Sequence, residues 1–120
     1  MQLLGVHHVS INVVNLDAAL KFYVDLLGLK PLPRPDFGFA GAWLAAGGQQ
    51  LHLIQAGEAH VSRGEHFAFQ VADIDGACAE LRSHGLDVSD PMALPGAGRQ
   101  AFLRDPSGNV VELNEPLPNT

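Results

Sequence analysis

Four side chains with metal-binding chemistry, His8, His52, His66 and Glu112, stand at matched places in a sequence that nearly repeats itself. Imidazole nitrogens and a carboxylate oxygen suit zinc, nickel, iron, manganese or cobalt, so together they form a competent donor set for a divalent transition metal. Taken singly, each has a plainer explanation. His52 lies within QQLHLIQ, among Leu51, Leu53 and Ile54. A lone histidine there is ordinarily a core residue satisfied by a nearby hydrogen bond. The case for chemistry rests on the pattern that joins the four.

That pattern is a repeat. HVSINVVNLDAAL, from His8, aligns with HFAFQVADIDGAC, from His66, at an offset of 58 residues. Further along, GQQLHL aligns with GNVVEL at an offset of 60, pairing His52 with Glu112. Two separated matches in the same order indicate two modules, residues 5–55 and 66–115, joined by a small, polar linker at 56–65 within a single domain, 1–120.

Each module follows the same grammar. A strand of period-two alternation (VHHVSINVV or HFAFQVA) leads into a helix N-capped by Asn15 or Asp73. The apolar stripes are Leu16, Ala19, Leu20, Tyr23 and Leu27 in one helix and Ile74, Ala77, Cys78 and Leu81 in the other. Gly28 and Gly85 are the stop signals. Three further strands follow, with breaks at LPRPD, AAGG, DPMALPGAG and DPSG. The unit reads βαβββ, an α+β architecture.

Strand parity then sorts the faces, because residues i and i+2 point the same way. Val9, Ile11 and Val13 oppose His8, Ser10 and Asn12. Phe67, Phe69 and Val71 oppose His66, Ala68 and Gln70. Leu51 and Leu53 oppose Gln50, His52 and Ile54, while Val111 and Leu113 oppose Val110, Glu112 and Asn114. Each of four strands thus carries one metal-capable side chain on the face turned away from its helix. With parity matched in both modules, the metal reading overtakes four unrelated polar residues.

The bulk composition removes several other functions. At 120 residues, 47% hydrophobic and 17% charged, the chain suits an ordered globular protein. Net charge is −6, and the seven Lys and Arg are scattered, so no basic stripe follows a nucleic-acid backbone. No apolar run approaches the ~20 residues that cross a bilayer. The N-terminus MQLLGVHH lacks the features of a signal peptide. A single Cys78 excludes an internal disulfide, and a cytoplasmic location is expected.

These segments resemble the vicinal oxygen chelate superfamily of glyoxalases, bleomycin-resistance proteins and dioxygenases, as a glyoxalase-like member. The resemblance is carried by HHVSINVVNLDAALKFYVDLLGL, GAWLAAGGQQLHLI, EHFAFQVADIDGACAEL and RQAFLRDPSGNVVEL, nearly the whole chain. It implies paired βαβββ modules in a cupped, mostly antiparallel sheet with helices on the outer face. Its metal-ligand positions fall on His8, His52, His66 and Glu112, with Glu112 also the implied catalytic residue. It further implies a small-molecule substrate and a homodimer whose sites can take residues from both chains. Departures are visible: bacterial glyoxalase I enzymes usually carry a carboxylate where His52 stands, the dioxygenases use only the other three positions, and NEPLPNT lacks the basic and tyrosine residues of fosfomycin enzymes.

The expected chemistry is lyase- or isomerase-type proton transfer, in which a metal takes two neighbouring substrate oxygens and stabilises an enediolate. Alternatives are an extradiol-type dioxygenase, a fosfomycin-type thiol transferase, and a metal-free protein that sequesters ligands as bleomycin-resistance members do. Trp43, Phe39, Arg99 and Gln70 are candidate pocket residues. Against that, aromatics such as Trp43, Phe37 and Phe39 commonly serve sheet packing, and Arg99 or Arg34 could equally form surface ion pairs. His7 should point away from His8, His60 and His84 should be solvated, and Cys78 should be a small core residue.

Overall fold

A computed structural model describes residues 1–59 and 64–118. The predicted His60 lies outside them. The chain forms two compact units, Met1–His60 and Val61–Thr120. Each is a βαβββ module, and the eight strands make two four-stranded mixed sheets.

In the first unit β1 (His8–Val13) runs parallel to β4 (Gln49–Gln55), followed by β3 (Gly41–Ala46) and β2 (Lys30–Leu32), the last two pairings antiparallel. Between β1 and β2 lies α1 (Leu16–Leu20). Asn15 caps it by accepting a 3.0 Å bond from the Ala18 amide, while Gln55, the last residue of β4, accepts one from Leu16. The sequence pattern of one uniform helix to Gly28 is not realised. After Leu20 the chain widens into a π-helical turn, Lys21–Leu26, closed by the Leu27 amide donating to the Phe22 carbonyl. The wider turn brings adjacent Phe22 and Tyr23 both into the core with Ala19, whereas Leu16, Leu20 and Leu27 are only half-buried. Beneath them lie Val13, Leu44, Leu51 and Leu53, each such side chain contributing about 1.5–3 kcal/mol on burial.

The second unit repeats the order: β5 (Phe67–Gln70) parallel to β8 (Val110–Glu115), then β7 (Gly98–Arg104) and β6 (Met92–Leu94), antiparallel. Its helix, α2 (Ile74–Ser83), is regular, with Asp73 accepting from the Gly76 amide at 3.1 Å and Glu115 accepting from Ile74. Ile74, Cys78 and Leu81 pack on Ala101, Leu103, Val111 and Leu113. The strand β6 lies inside DPMALPGAG, expected as a break. Pro91 and Pro95 flank it, which an exposed edge strand tolerates because its outer amides need no partner.

Two hairpins hold the strands of His52 and Glu112 in register. Gly47 and Gly48 turn β3 into β4, Gly47 with φ of +60°. In the second unit Asp105 does this work: its carboxylate accepts from the amides of Ser107 and Asn109 and from the Asn109 side chain, all at 2.9 Å. The buried Asp105–Asn109 pair fixes how far β8 slides past β7, and so where Glu112 points. Among the described residues no helix is long and apolar enough to cross a membrane.

Candidate functional site

The four predicted donors meet in two pairs, one in each unit, on the sheet face opposite the helix. In the first unit the His8 and His52 rings stack at 4.1 Å between centroids, 15° from parallel. Trp43, directly opposite His52 in the β3–β4 register, stacks on its other side at 4.6 Å. His52 is buried, whereas His8 is exposed. The Nε2–H of His52 donates to Gln50 Oε1 at 2.8 Å, which leaves its lone pair at Nδ1. Its pKa lies below the ordinary imidazole value, mainly because burial penalises the charged ring, with further repulsion from His8, His7 and Arg34. His52 therefore stays neutral, the form that binds a metal.

His7 departs from the parity argument. It precedes β1 and is free of strand geometry, and its Nδ1 lies 2.9 Å from Nδ1 of His8, with one ring donating to the other.

In the second unit His66 Nε2 lies 2.9 Å from Glu112 Oε1. The other ring nitrogen, Nδ1, donates to the Gly64 carbonyl at 2.8 Å. Because a carbonyl can only accept, that bond places a proton on Nδ1, so neutral His66 would aim a lone pair at a carboxylate. Two facing acceptors require a cation between them. A proton fills that role here: the Gly64 carbonyl first, then the Glu112 carboxylate, raise the His66 pKa above its ordinary value. A metal ion would fill it equally, and a histidine whose second nitrogen is tied to a backbone carbonyl is the usual oriented ligand. Asn114 Nδ2 donates to the other carboxylate oxygen of Glu112 at 3.2 Å.

The donor set thus fits a transition metal by its chemistry: one imidazole held neutral, one oriented, and a buried carboxylate that needs a counter-cation. Within the described residues, no three of His, Cys, Asp and Glu gather closely enough to hold an ion.

The other candidates separate. Trp43 is in contact with His52, and Phe39 stacks on Phe37 at 5.9 Å. Gln70 lies on the Glu112 face, opposite Asn114, and is exposed. Arg99 does not join it. Along β7 it shares its face with buried Ala101 and Leu103, toward α2, and Asp75 holds its guanidinium by bonds of 2.6 and 2.9 Å. Cys78 is buried in the helix packing, and burial pushes its thiol pKa up.

Three partners escaped the sequence reading as functional residues: Gln50, Asn114 and Phe102. Gln50 and Asn114 each lie two positions from a donor and so share its face, a signal that was present. Phe102 stands opposite Glu112 as Trp43 stands opposite His52, and meets the His66 ring edge-on at 5.6 Å. An open cavity of about 770 Å³ borders His66, Phe102, Arg104 and Val110.

Known proteins share this architecture. Glyoxylase I 4 of Arabidopsis thaliana is 29% identical, over 94% of this chain and 71% of that protein. The crystal structure of a putative glyoxalase family protein from Bacillus anthracis superposes with a TM-score of 0.87 at 27% identity, covering 98% of both chains. TnmS3, an antibiotic binding protein from Streptomyces sp. CB03234, gives a TM-score of 0.82 at 28% identity, over 98% of this chain and 99% of its own. With a family model matching residues 5–113, the chain belongs to the Glyoxalase/Bleomycin resistance protein/Dioxygenase superfamily.

Proposed function

We propose that this chain is a divalent-metal-dependent, glyoxalase-like enzyme that moves a proton on a small oxygenated substrate, with His8, His52, His66 and Glu112 as the metal ligands. The observation that carries the reading is the His66–Glu112 contact, in which Gly64 fixes the ring so that two acceptors face each other and call for a cation. The stacked His8–His52 pair supplies two further nitrogens, from one chain or from two copies of it. The metal, when bound, would supply Lewis acidity that lowers the cost of developing negative charge on substrate oxygen.

The chain's own residues account for the rest. Glu112 is buried, and its carboxylate would take and return the proton: Oε1 faces His66 Nε2, through which a proton can be shared, while Asn114 donates to Oε2. Asn114 steadies the carboxylate plane through Oε2. Trp43 and Phe102 form apolar walls beside His52 and His66. Similarity to Glyoxylase I 4 favours a glyoxalase-type reaction.

A second reading, a metal-free ligand-binding protein, has one observation behind it. The His66–Glu112 pair is already satisfied by a shared proton, and the similar TnmS3 is an antibiotic binding protein. Elemental analysis of protein expressed in metal-replete medium separates the two. Stoichiometric metal that is lost in His52→Ala and Glu112→Ala supports the enzyme; wild-type protein without metal overturns it.

A further inference from the structure

Arg34 is a cation held in place without a carboxylate partner among the described residues. Arg82 is paired with Asp90 and Arg99 with Asp75. Among the described residues no carboxylate lies within ion-pair distance of Arg34, although the chain carries a net charge of −6. Asp36, its near neighbour in sequence, instead accepts from the Gly38 amide.

The guanidinium is nonetheless held in place. It lies 5.0 Å from the ring centroids of both Phe37 and Phe39, and Nη2 donates to the Phe39 carbonyl at 3.2 Å. Gly41 makes room for it: a Cβ there would come within 2.9 Å of Nη2 and 3.1 Å of Cζ, besides striking the Leu53 carbonyl. That missing Cβ also locates the charge. Gly41 and Trp43 are two apart on β3 and share a face, and Trp43 lies opposite His52. The Arg34 guanidinium therefore sits over the donor-bearing face, about 7 Å along the strand from the Trp43–His52 row.

Large aromatic side chains surround this position. Phe37 and Phe39 are half-exposed, and Phe37 lies 6.0 Å from Trp43 between ring centroids. Exposed rings beside a fixed, unpaired guanidinium match a ligand that has a flat apolar body and an anionic end. The donors Nε and Nη1 have no partner among the described residues, and together they present the edge that a carboxylate accepts from with both oxygens.

We propose that Arg34, Phe37, Phe39 and Trp43 form a binding platform for an aromatic carboxylate, whose ring lies against Trp43 and whose carboxylate meets Arg34. This names the substrate class of the site described above, and it rests on that reading for its catalytic meaning. The platform itself belongs to the first unit and needs no metal.

Trp43 is the single tryptophan of the chain, so its fluorescence reads the platform directly. Chelator-treated protein is titrated with benzoate, benzamide and cyclohexanecarboxylate. Benzoate should quench Trp43 saturably and bind about tenfold more tightly than either analogue, as a charge-assisted pair and a ring contact together require. Arg34→Gln should abolish the preference over benzamide, and Phe39→Leu should shrink the preference over cyclohexanecarboxylate. Equal binding of benzoate and benzamide, or an unchanged preference in Arg34→Gln, would overturn the proposal. Should Arg34→Gln not fold, Arg34→Lys keeps the charge without the flat fork: weaker benzoate binding supports the platform and unchanged binding overturns it. Zinc content, measured separately on reloaded samples, distinguishes failure of the platform from failure of the metal reading.

Discussion

The two units build the same corner of the same fold with opposite electrostatics. At the corner of the first, His52 lies between Trp43 and His8, two aromatic rings, and is kept neutral by burial. In the second, His66 faces the Glu112 carboxylate, and its hydrogen bonds to the Gly64 carbonyl and Glu112 raise its pKa. In each unit the two residues lie on or beside a pair of parallel strands, β1 with β4 and, with His66 just before β5, β5 with β8. Duplication therefore conserves where a side chain points, while the residue at position 52 or 112 decides what it does there. The first pair offers lone pairs; the second holds a cation, a proton or a metal ion, between imidazole and carboxylate.

The comparison breaks most visibly if donors are removed. Glu112→Ala and His8→Ala should each lower metal affinity about a hundredfold or more, by more than loss of an outer partner costs. Competition against a chelator measures this, and a large loss in one variant alone would mean that only one unit binds. Next come the cores. Leu51→Ala and Leu113→Ala occupy equivalent buried places beside the donors, and each should cost about 3 kcal/mol in denaturant unfolding. Asn114→Ala should weaken metal binding about tenfold, because Glu112 loses the bond that orients it.

Smaller effects follow from protonation. In metal-free protein, NMR should find His52 titrating below, and His66 above, the ordinary imidazole value of 6.5. The stability consequences have opposite signs. His66 stabilises the fold below pH 6.5, and that contribution fades as pH rises through its raised folded value. His52 favours the fold above pH 6.5, and its contribution fades as pH falls through its lowered folded value. Asp75→Asn should have the least effect, since the Asp75–Arg99 pair is exposed; its contribution disappears on acidification through the lowered Asp75 pKa.

Much of this was legible in the sequence for geometric reasons. Period-two alternation fixes a side chain's face wherever a strand is straight, so the faces of His8, His52, His66 and Glu112 followed from their neighbours. The caps Asn15 and Asp73 were legible because short polar side chains satisfy first-turn amides. The π-helical turn was not, because apolar residues at 16, 19, 20, 23 and 27 suit a regular helix, and nothing local favours the wider turn that buries Phe22. Parity placed on the same face as Leu103 would have removed Arg99 from the pocket, while the role of Arg34 depends on Gly41, seven residues away, and on no periodicity. Which residue answers which across the sheet is a matter of register, and register depends on the Gly47–Gly48 and Asp105–Asn109 turns.

The proposed function requires His8, His52, His66 and Glu112 to serve one ion. Calorimetric titration of chelator-treated protein with zinc tests it most directly through its stoichiometry. One ion per chain, falling to none in both His52→Ala and Glu112→Ala, is the predicted result. Two ions per chain, or none in the wild-type protein, would contradict it.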